Sequence, residues 1–270
     1  MASTLTPVVF IHGLWLHSSS WDPWVKLFRR LGYEPIAPGW PYEPDDIHEA
    51  RLQMEAVASV GLDDVTEHYG RIIRQLDSMP ILIGHSTGGL VAQKLLGNDL
   101  GRAAVAIDSA QFKGVWTLPP NQIRAAWPAL KNPVKINRAV PLTADEFRYG
   151  FGNALSLEES TELFTQYSIP SPARPVFAIS FANFNTHSTA AVNIGNNERG
   201  PLLLIAGGRD NTVPASVVRA QHKLYEKSSA VTDIQEFPDR GHSITIDSGW
   251  REVADATLDW IKRVSARRRK

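Results

Sequence analysis

Gly84-His85-Ser86-Thr87-Gly88 sets a serine between two glycines. The apolar run ending at Ile83 reads as a strand, and Leu90 to Leu96 reads as a helix closed by Gly97. The serine therefore stands where a strand turns sharply into a helix. Such a turn forces its central residue into strained backbone angles, and a Cβ on either flanking residue would clash. It lifts the hydroxyl out at the sheet edge, beneath the positive end of the helix dipole. A serine hydroxyl is a poor nucleophile at neutral pH and needs a base within hydrogen-bond reach. Of the eight histidines, His242 is the candidate, because Gly241-His242 follows the run ending at Phe237 and precedes a closing helical pattern. His85 is too close to Ser86 on the same turn, His48, His68 and His222 fall on helical patterns, and His187 is the rival. The base in turn needs a carboxylate to fix its tautomer. Asp210, in Gly207-Gly208-Arg209-Asp210, follows the run Leu202 to Ala206 and lies 32 residues before His242. Asp108, after Ala103 to Ile107, competes for that role, and both sit at carboxyl ends of strands, where sites in open α/β sheets form. Asp239 reads as a turn residue.

Acyl transfer also needs two preorganised N–H donors for the developing oxyanion. The residue after the nucleophile, Thr87, supplies one. His12-Gly13-Leu14 follows the first apolar run, and Gly13 allows the close approach that brings in the Leu14 N–H. Trp15 and Trp40 are candidate pocket walls. His187, in the asparagine-rich stretch 183–197, is a candidate for substrate contact. Other chemistries are poorly served. The chain has no cysteine, which excludes disulfides, thiolate metal sites and thiol nucleophiles. No His-Glu-x-x-His, phosphate-cradling Gly-x-x-x-x-Gly-Lys or Gly-x-Gly-x-x-Gly pattern occurs, so no metal and no cofactor is expected.

The elements that must position these groups alternate along the chain. Val8 to Ile11, Glu34 to Ala37, Ile81 to Ile83, Ala103 to Ile107, Leu202 to Ala206 and Ile234 to Phe237 read as strands. Between them lie helical periodicities: Trp24, Leu27, Phe28 and Leu31 after an expected Asp22 N-cap; Val65, Tyr69, Ile72, Ile73 and Leu76; Val217, Val218, Gln221, Leu224 and Tyr225; and Trp250 to Val264. Uninterrupted apolar strands alternating with amphipathic helices predict an α/β fold, a mostly parallel sheet with helices on both faces. The alternation fails across 111–200. That third of the chain is rich in proline, carries helix-like pieces near 143–150 and 156–167, and holds 11 of the 24 aromatic residues. It reads as an inserted cap over a core formed by 1–110 and 201–270, with the 183–197 stretch as the return loop.

Taken in order, His12-Gly13, Gly84-His85-Ser86-Thr87-Gly88-Gly89, Asp210 with Val213-Pro214, and Gly241-His242 resemble the α/β-hydrolases of the esterase, lipase and perhydrolase type. The elbow itself is similar to that of the cofactor-free haloperoxidases. The resemblance implies an eight-stranded sheet, a helical cap after the sixth strand and a Ser86–His242–Asp210 triad. The residues themselves point to cleavage of a carboxylic ester, a lactone or a thioester through an acyl-enzyme on Ser86, and the aromatic-rich insert points to an apolar acyl or alcohol portion. A serine at the elbow disfavours epoxide hydrolase and haloalkane dehalogenase chemistry, which needs a carboxylate there. Related readings reuse the triad for C–C or C–N cleavage or as a hydroxynitrile-lyase-like acid and base. A reading from another class is a ligand receptor with slow turnover. One segment departs from the family: where relatives carry an Asp-x-x-Gly-x-Gly-like loop, this chain has Ala37-Pro38-Gly39-Trp40-Pro41.

Charge and hydropathy bound the partners. Basic and acidic side chains number 28 each, so no basic field invites nucleic acid or an anionic membrane. The terminal run Arg267 to Lys270 reads as a solvated tail. No apolar stretch reaches the length of a membrane span, and Val8 to Ile11 is too short for a signal-peptide core. These features predict a cytoplasmic protein acting on a small molecule.

Overall fold

The computed structural model describes residues 5–267. Arg268, Arg269 and Lys270 of the basic run lie outside the described residues. The strands are β1 (Thr6–Ile11), β2 (Tyr33–Ile36), β3 (Ile81–His85), β4 (Ala103–Ile107), β5 (Ala139–Val140), β6 (Ser171–Pro172), β7 (Leu202–Gly207) and β8 (Thr232–Phe237). The helices are α1 (Asp22–Arg30), α2 (Ile47–Leu52), α3 (Leu62–Arg74), α4 (Thr87–Gly97), α5 (Pro120–Leu130), α6 (Ala144–Gly150), α7 (Leu157–Tyr167), α8 (Ala173–Ser180), α9 (Ala215–Tyr225) and α10 (Trp250–Arg267).

Six strands form one sheet in the order β2-β1-β3-β4-β7-β8, and every pairing in it is parallel. The expectation of eight strands in this sheet is therefore corrected to six. The two remaining strands among the described residues, β5 and β6, pair antiparallel within the 111–200 segment, which follows the fourth strand of the chain and not the sixth. A further correction concerns α1. Asp22 is its first helical residue and Trp21 the N-cap, with Pro23 in the first turn, while Gly32 at φ +82° ends the element as expected.

Strand side chains alternate between two apolar layers. Val8 and Phe10 join Ile81, Ile83, Val105, Leu203 and Ile205 beneath Trp24, Phe28 and Trp260 of α1 and α10. Val9 and Ile11 join Leu82, Ala104, Ala106 and Leu204 beneath Val65, Leu90 and Val217 of α3, α4 and α9. This second layer continues without a break into the 111–200 segment through Phe147, Phe151, Ala173 and Val176. Both faces of the sheet are thus covered, which is why its strands read as continuous apolar runs. No helix among the described residues is long and apolar enough to cross a membrane.

Candidate active site

The turn between β3 and α4 has the strained geometry that its glycines foreshadow. Ser86 sits at φ +56°, ψ −123°, a conformation that L-residues rarely adopt. Its neighbours hold it there. A Cβ on Gly84 would lie 2.1 Å from the Gly88 carbonyl oxygen, and one on Gly88 2.1 Å from that of Ile11. The Ser86 N–H donates to the Ile107 carbonyl at 2.9 Å, and the Ser86 carbonyl accepts from the N–H groups of Gly89 and Ala110. Behind the turn, Gln93 donates to Ser109 Oγ at 2.6 Å and to Gln221 Oε1 at 3.0 Å, tying α4 to the end of β4 and to α9.

His242 and Asp210 come together as the sequence predicts. His242 Nδ1 donates to Asp210 Oδ2 at 2.6 Å, and both side chains are fully buried. Asp210 Oδ1 accepts from the N–H groups of Thr212 at 2.6 Å and Val213 at 2.8 Å. With the Nδ1 proton committed to a carboxylate, the Nε2 lone pair is free to take a proton. That Nε2 is buried and has no partner, and no hydrogen bond joins it to Ser86 Oγ among the described residues. Contacts of this kind often tighten only when substrate is bound. The His242 ring packs edge-on against Phe151, with ring centres 4.8 Å apart, and its carbonyl accepts from His85 Nε2 at 2.9 Å.

The loop after β1 lies against this turn. A Cβ on Gly13 would stand 2.6 Å from Ser86 Cβ, so only glycine lets the two backbones approach so closely. Neither the Leu14 nor the Thr87 N–H donates to a protein acceptor among the described residues. Both residues line a cavity of about 280 Å³ into which Ser86 opens. Gln111, Gln122, Val176, Phe181 and Val213 are among its other walls, and no charged side chain lines it.

The remaining candidates divide. Trp15 lines the cavity, with its backbone at φ +63° and its indole N–H donating to the Val140 carbonyl. Trp40 does not. Its indole N–H donates to the His12 carbonyl at 3.1 Å and its ring is buried over that of His12, so it supports the loop from behind. His187 is exposed on the return loop, donating its N–H to Asn185 Oδ1, and lies outside the cavity wall. Asparagines of that loop tie it to neighbouring turns instead: Asn193 and Asn196 both donate to the Gly97 carbonyl.

Asp108, the competing acid, is a neighbour of Asp210. Its Oδ1 accepts from the Gly207 N–H, while its Oδ2 lies next to the Asp210 carboxylate with no donor of its own. Burial, and then the Asp210 charge, push Asp108 well above the usual carboxylate range. A proton on Asp108 turns this contact of two carboxyl groups into a hydrogen bond. Burial, followed by the neighbouring His242, holds His85 well below the usual histidine range. One nitrogen or oxygen atom each of His85, Asp108 and His242 lie within 4.8 Å of one another, close enough to share an ion. Such an ion would engage the His242 imidazole.

A carboxylate that sequence reasoning missed lies against the loop after β1. Glu43 is buried 3.2 Å from His12 Nε2 and 3.7 Å from His17 Nε2, and it accepts from the Ser18 N–H. His12 Nδ1 donates to the Gly13 carbonyl at 2.9 Å. The Glu43 contact to His12 is misaligned for a hydrogen bond but close enough for an ion pair. Burial is the largest influence on His12 and acts to depress it; the Glu43 charge and polar contact, joined by the Gly13 and Leu16 backbones, together raise the imidazole above its ordinary value. Burial is likewise the largest influence on Glu43 and acts to raise it; the charge and polar contact of His12, the His17 charge and the Ser18 N–H together lower the carboxyl. The only sequence signal was an acidic residue close to the atypical Ala37–Pro41 loop.

Comparison with known proteins bears on the fold and the family. No curated protein sequence matches the chain. Among solved structures, a monoacylglycerol lipase from Paleococcus ferrophilus superposes with a TM-score of 0.66 at 21% identity, covering 96% of this chain and 94% of that one. A methylesterase from Arabidopsis gives 0.62 at 16% identity, covering 96% and 99%. A pyrethroid hydrolase from Sphingobium faniae JZ-2 gives 0.63 at 20% identity, covering 95% and 97%. At these identities the likeness is one of fold. The sequence profile of the alpha/beta hydrolase family matches residues 8–256, spanning every strand of the six-stranded sheet but the first two residues of β1 and taking in Ser86, Asp210 and His242. The chain belongs to the alpha/beta hydrolase family.

Proposed function

We propose that the protein is a serine hydrolase that cleaves neutral carboxylic esters through an acyl-enzyme on Ser86. The observation that carries this reading is the buried His242–Asp210 pair at 2.6 Å, set beside a strained serine at the wall of an uncharged cavity. Ser86 Oγ attacks the ester carbonyl while His242 Nε2 takes its proton, and the Leu14 and Thr87 N–H groups hold the oxyanion. His242 returns the proton to the departing alcohol. It then takes a proton from water, whose oxygen attacks the acyl carbonyl; the bond to Ser86 Oγ breaks, His242 gives the proton back to Oγ, and the products are an acid and an alcohol. Asp210 orients the imidazole and stabilises its charged form. The 111–200 segment acts as the cap, because it supplies 12 of the 19 residues that line the cavity, eight of them on α5 and α8.

The structural neighbours named methylesterase, pyrethroid hydrolase and monoacylglycerol lipase support ester cleavage without fixing the substrate. The test is an ester panel on wild type and Ser86→Ala, with mass spectrometry after exposure to a fluorophosphonate. The expected result is a single adduct on Ser86 and loss of turnover in the variant. Unchanged ester turnover by Ser86→Ala would end the reading. An adduct-free wild-type protein that turns over no ester would instead support the slow-turnover receptor.

A further inference from the structure

The cavity beside Ser86 is mostly hydrocarbon; apart from the hydroxyl residues Ser86, Thr87, Ser180 and Thr212, its polar wall is a pair of amides. Gln111 follows the end of β4, and Gln122 lies on the first turns of α5. Both side chains line the cavity, and each is more than nine-tenths buried. Gln122 Nε2 donates to Gln111 Oε1 at 2.6 Å. One such bond uses half of each amide group. Gln122 Oε1 is buried with no donor, and Gln111 Nε2 donates to no protein acceptor among the described residues.

A buried amide with unused capacity is costly unless something pairs with it. The choice of which end of each amide is nitrogen does not alter the outcome. Exchanging both leaves one free donor and one free acceptor at the same place. A group that can both give and accept a hydrogen bond complements that pair, and a hydroxyl does so in the least volume. An amine would arrive charged, into a cavity with no carboxylate among its walls. The pair also lies close to the reacting centre, since the N–H of Ala110, next to Gln111, donates to the Ser86 carbonyl at 3.0 Å.

We infer that the Gln111–Gln122 pair selects esters that carry a hydroxyl near the scissile carbonyl on an otherwise uncharged hydrocarbon body. This rests on the ester-cleaving reading above and names its substrate class. The two residues are specificity determinants, and they touch the substrate rather than the bond that breaks. Gln122 lies on α5 and Gln111 beside the end of β4, so a hydroxyl held by both bridges α5 to the edge of the sheet.

The test uses methyl mandelate (each enantiomer) and methyl phenylacetate, which differ by one hydroxyl on the carbon next to the ester. The readout is the ratio of kcat/KM for the two, measured in wild type, Gln111→Leu and Gln122→Leu. A ratio taken on one enzyme preparation is insensitive to how much of it is folded. It also allows for the intrinsic reactivity of the two esters, since that is common to all three proteins. The expected result is a fall in the ratio of about five- to tenfold in each variant for the preferred enantiomer, the value of one neutral hydrogen bond. A ratio unchanged within twofold in both variants would show that the pair merely ties α5 to the chain after β4, and would overturn the inference while leaving ester hydrolysis intact. Binding of the same esters to Ser86→Ala, alone and combined with Gln122→Leu, separates the two claims. If wild type hydrolyses neither ester, the hydrolase reading fails on these substrates, and the Kd ratio alone decides the inference in the same two directions.

Discussion

At the scale of single residues, the site depends on which groups carry protons. Asp210 receives N–H groups from His242, Thr212 and Val213. Asparagine at 210 would keep the shape of this arrangement and remove the charge that favours the useful tautomer. Asp210→Asn should therefore lower kcat by about 10³–10⁴-fold with little change in melting temperature, read by steady-state kinetics and calorimetry. Asp108 behaves oppositely. Its folded-state pKa is raised by burial and by Asp210, so its contribution to stability is complete in acid and declines as pH rises through that raised value. Asp108→Asn keeps an acceptor for Gly207 N–H and offers Asp210 a donor that needs no protonation. Urea unfolding should show the variant gaining on wild type as pH goes from 5 to 9, and a gap that is constant with pH would refute this assignment.

At the scale of elements, the loop after β1 is held by charge and by the absence of side chains. Glu43 is lowered in the fold, so the stability it contributes is present above its unfolded value near 4.5 and lost as pH falls through its folded value. His12 is raised, so its share is present below 6.5 and lost as pH rises through its folded value. Glu43→Gln should thus cost most between about pH 4.5 and 6.5, on the order of 3 kcal/mol for a buried pair broken on one side. Chemical unfolding across pH 4–9 reads this directly. The kinetic companion is a fall in kcat with KM little changed, because the Leu14 N–H is lost mainly to the transition state. That loss is bounded by the roughly 3–4 kcal/mol of one oxyanion donor. Gly88→Ala tests the steric side. Its Cβ would fall 2.1 Å from a backbone oxygen that cannot rotate away, so the variant should lose several kcal/mol of stability or fail to express folded.

Across the whole molecule, the apolar layer on the α3–α4–α9 face runs unbroken from the sheet into the 111–200 segment. The segment shares its core with the rest of the chain. Tryptophan fluorescence, circular dichroism and activity should therefore be lost together in one thermal transition, whereas an early fluorescence step would show a cap that melts alone. The same continuity explains what could be read in advance. Strands such as Ala103–Ile107 were legible because burial on both faces makes a parallel strand uniformly apolar, and the order of Ser86, Asp210 and His242 was legible because each follows a strand. Helices α5 and α8 were not, since Pro128 and Pro175 lie within them and their exposed and buried residues follow the cavity rather than a simple stripe. Trp40 and His187 misled for a related reason. Residue type marks a side chain as able to line a pocket, but its direction is set by partners distant in sequence: the His12 carbonyl for Trp40, and the Asn185 turn for His187.

The uncharged wall around Ser86 has one further effect, on the way out. On the proposed mechanism, deacylation leaves a carboxylic acid that is an anion at neutral pH, in a compartment with no charged side chain to receive it. Low polarity that suits the ester then disfavours its product and speeds the release of the acid, with the overall equilibrium unchanged. Product inhibition by the released acid should be feeble, with an inhibition constant at least tenfold above KM at pH 8 and drawing closer to it as acidification keeps the acid neutral.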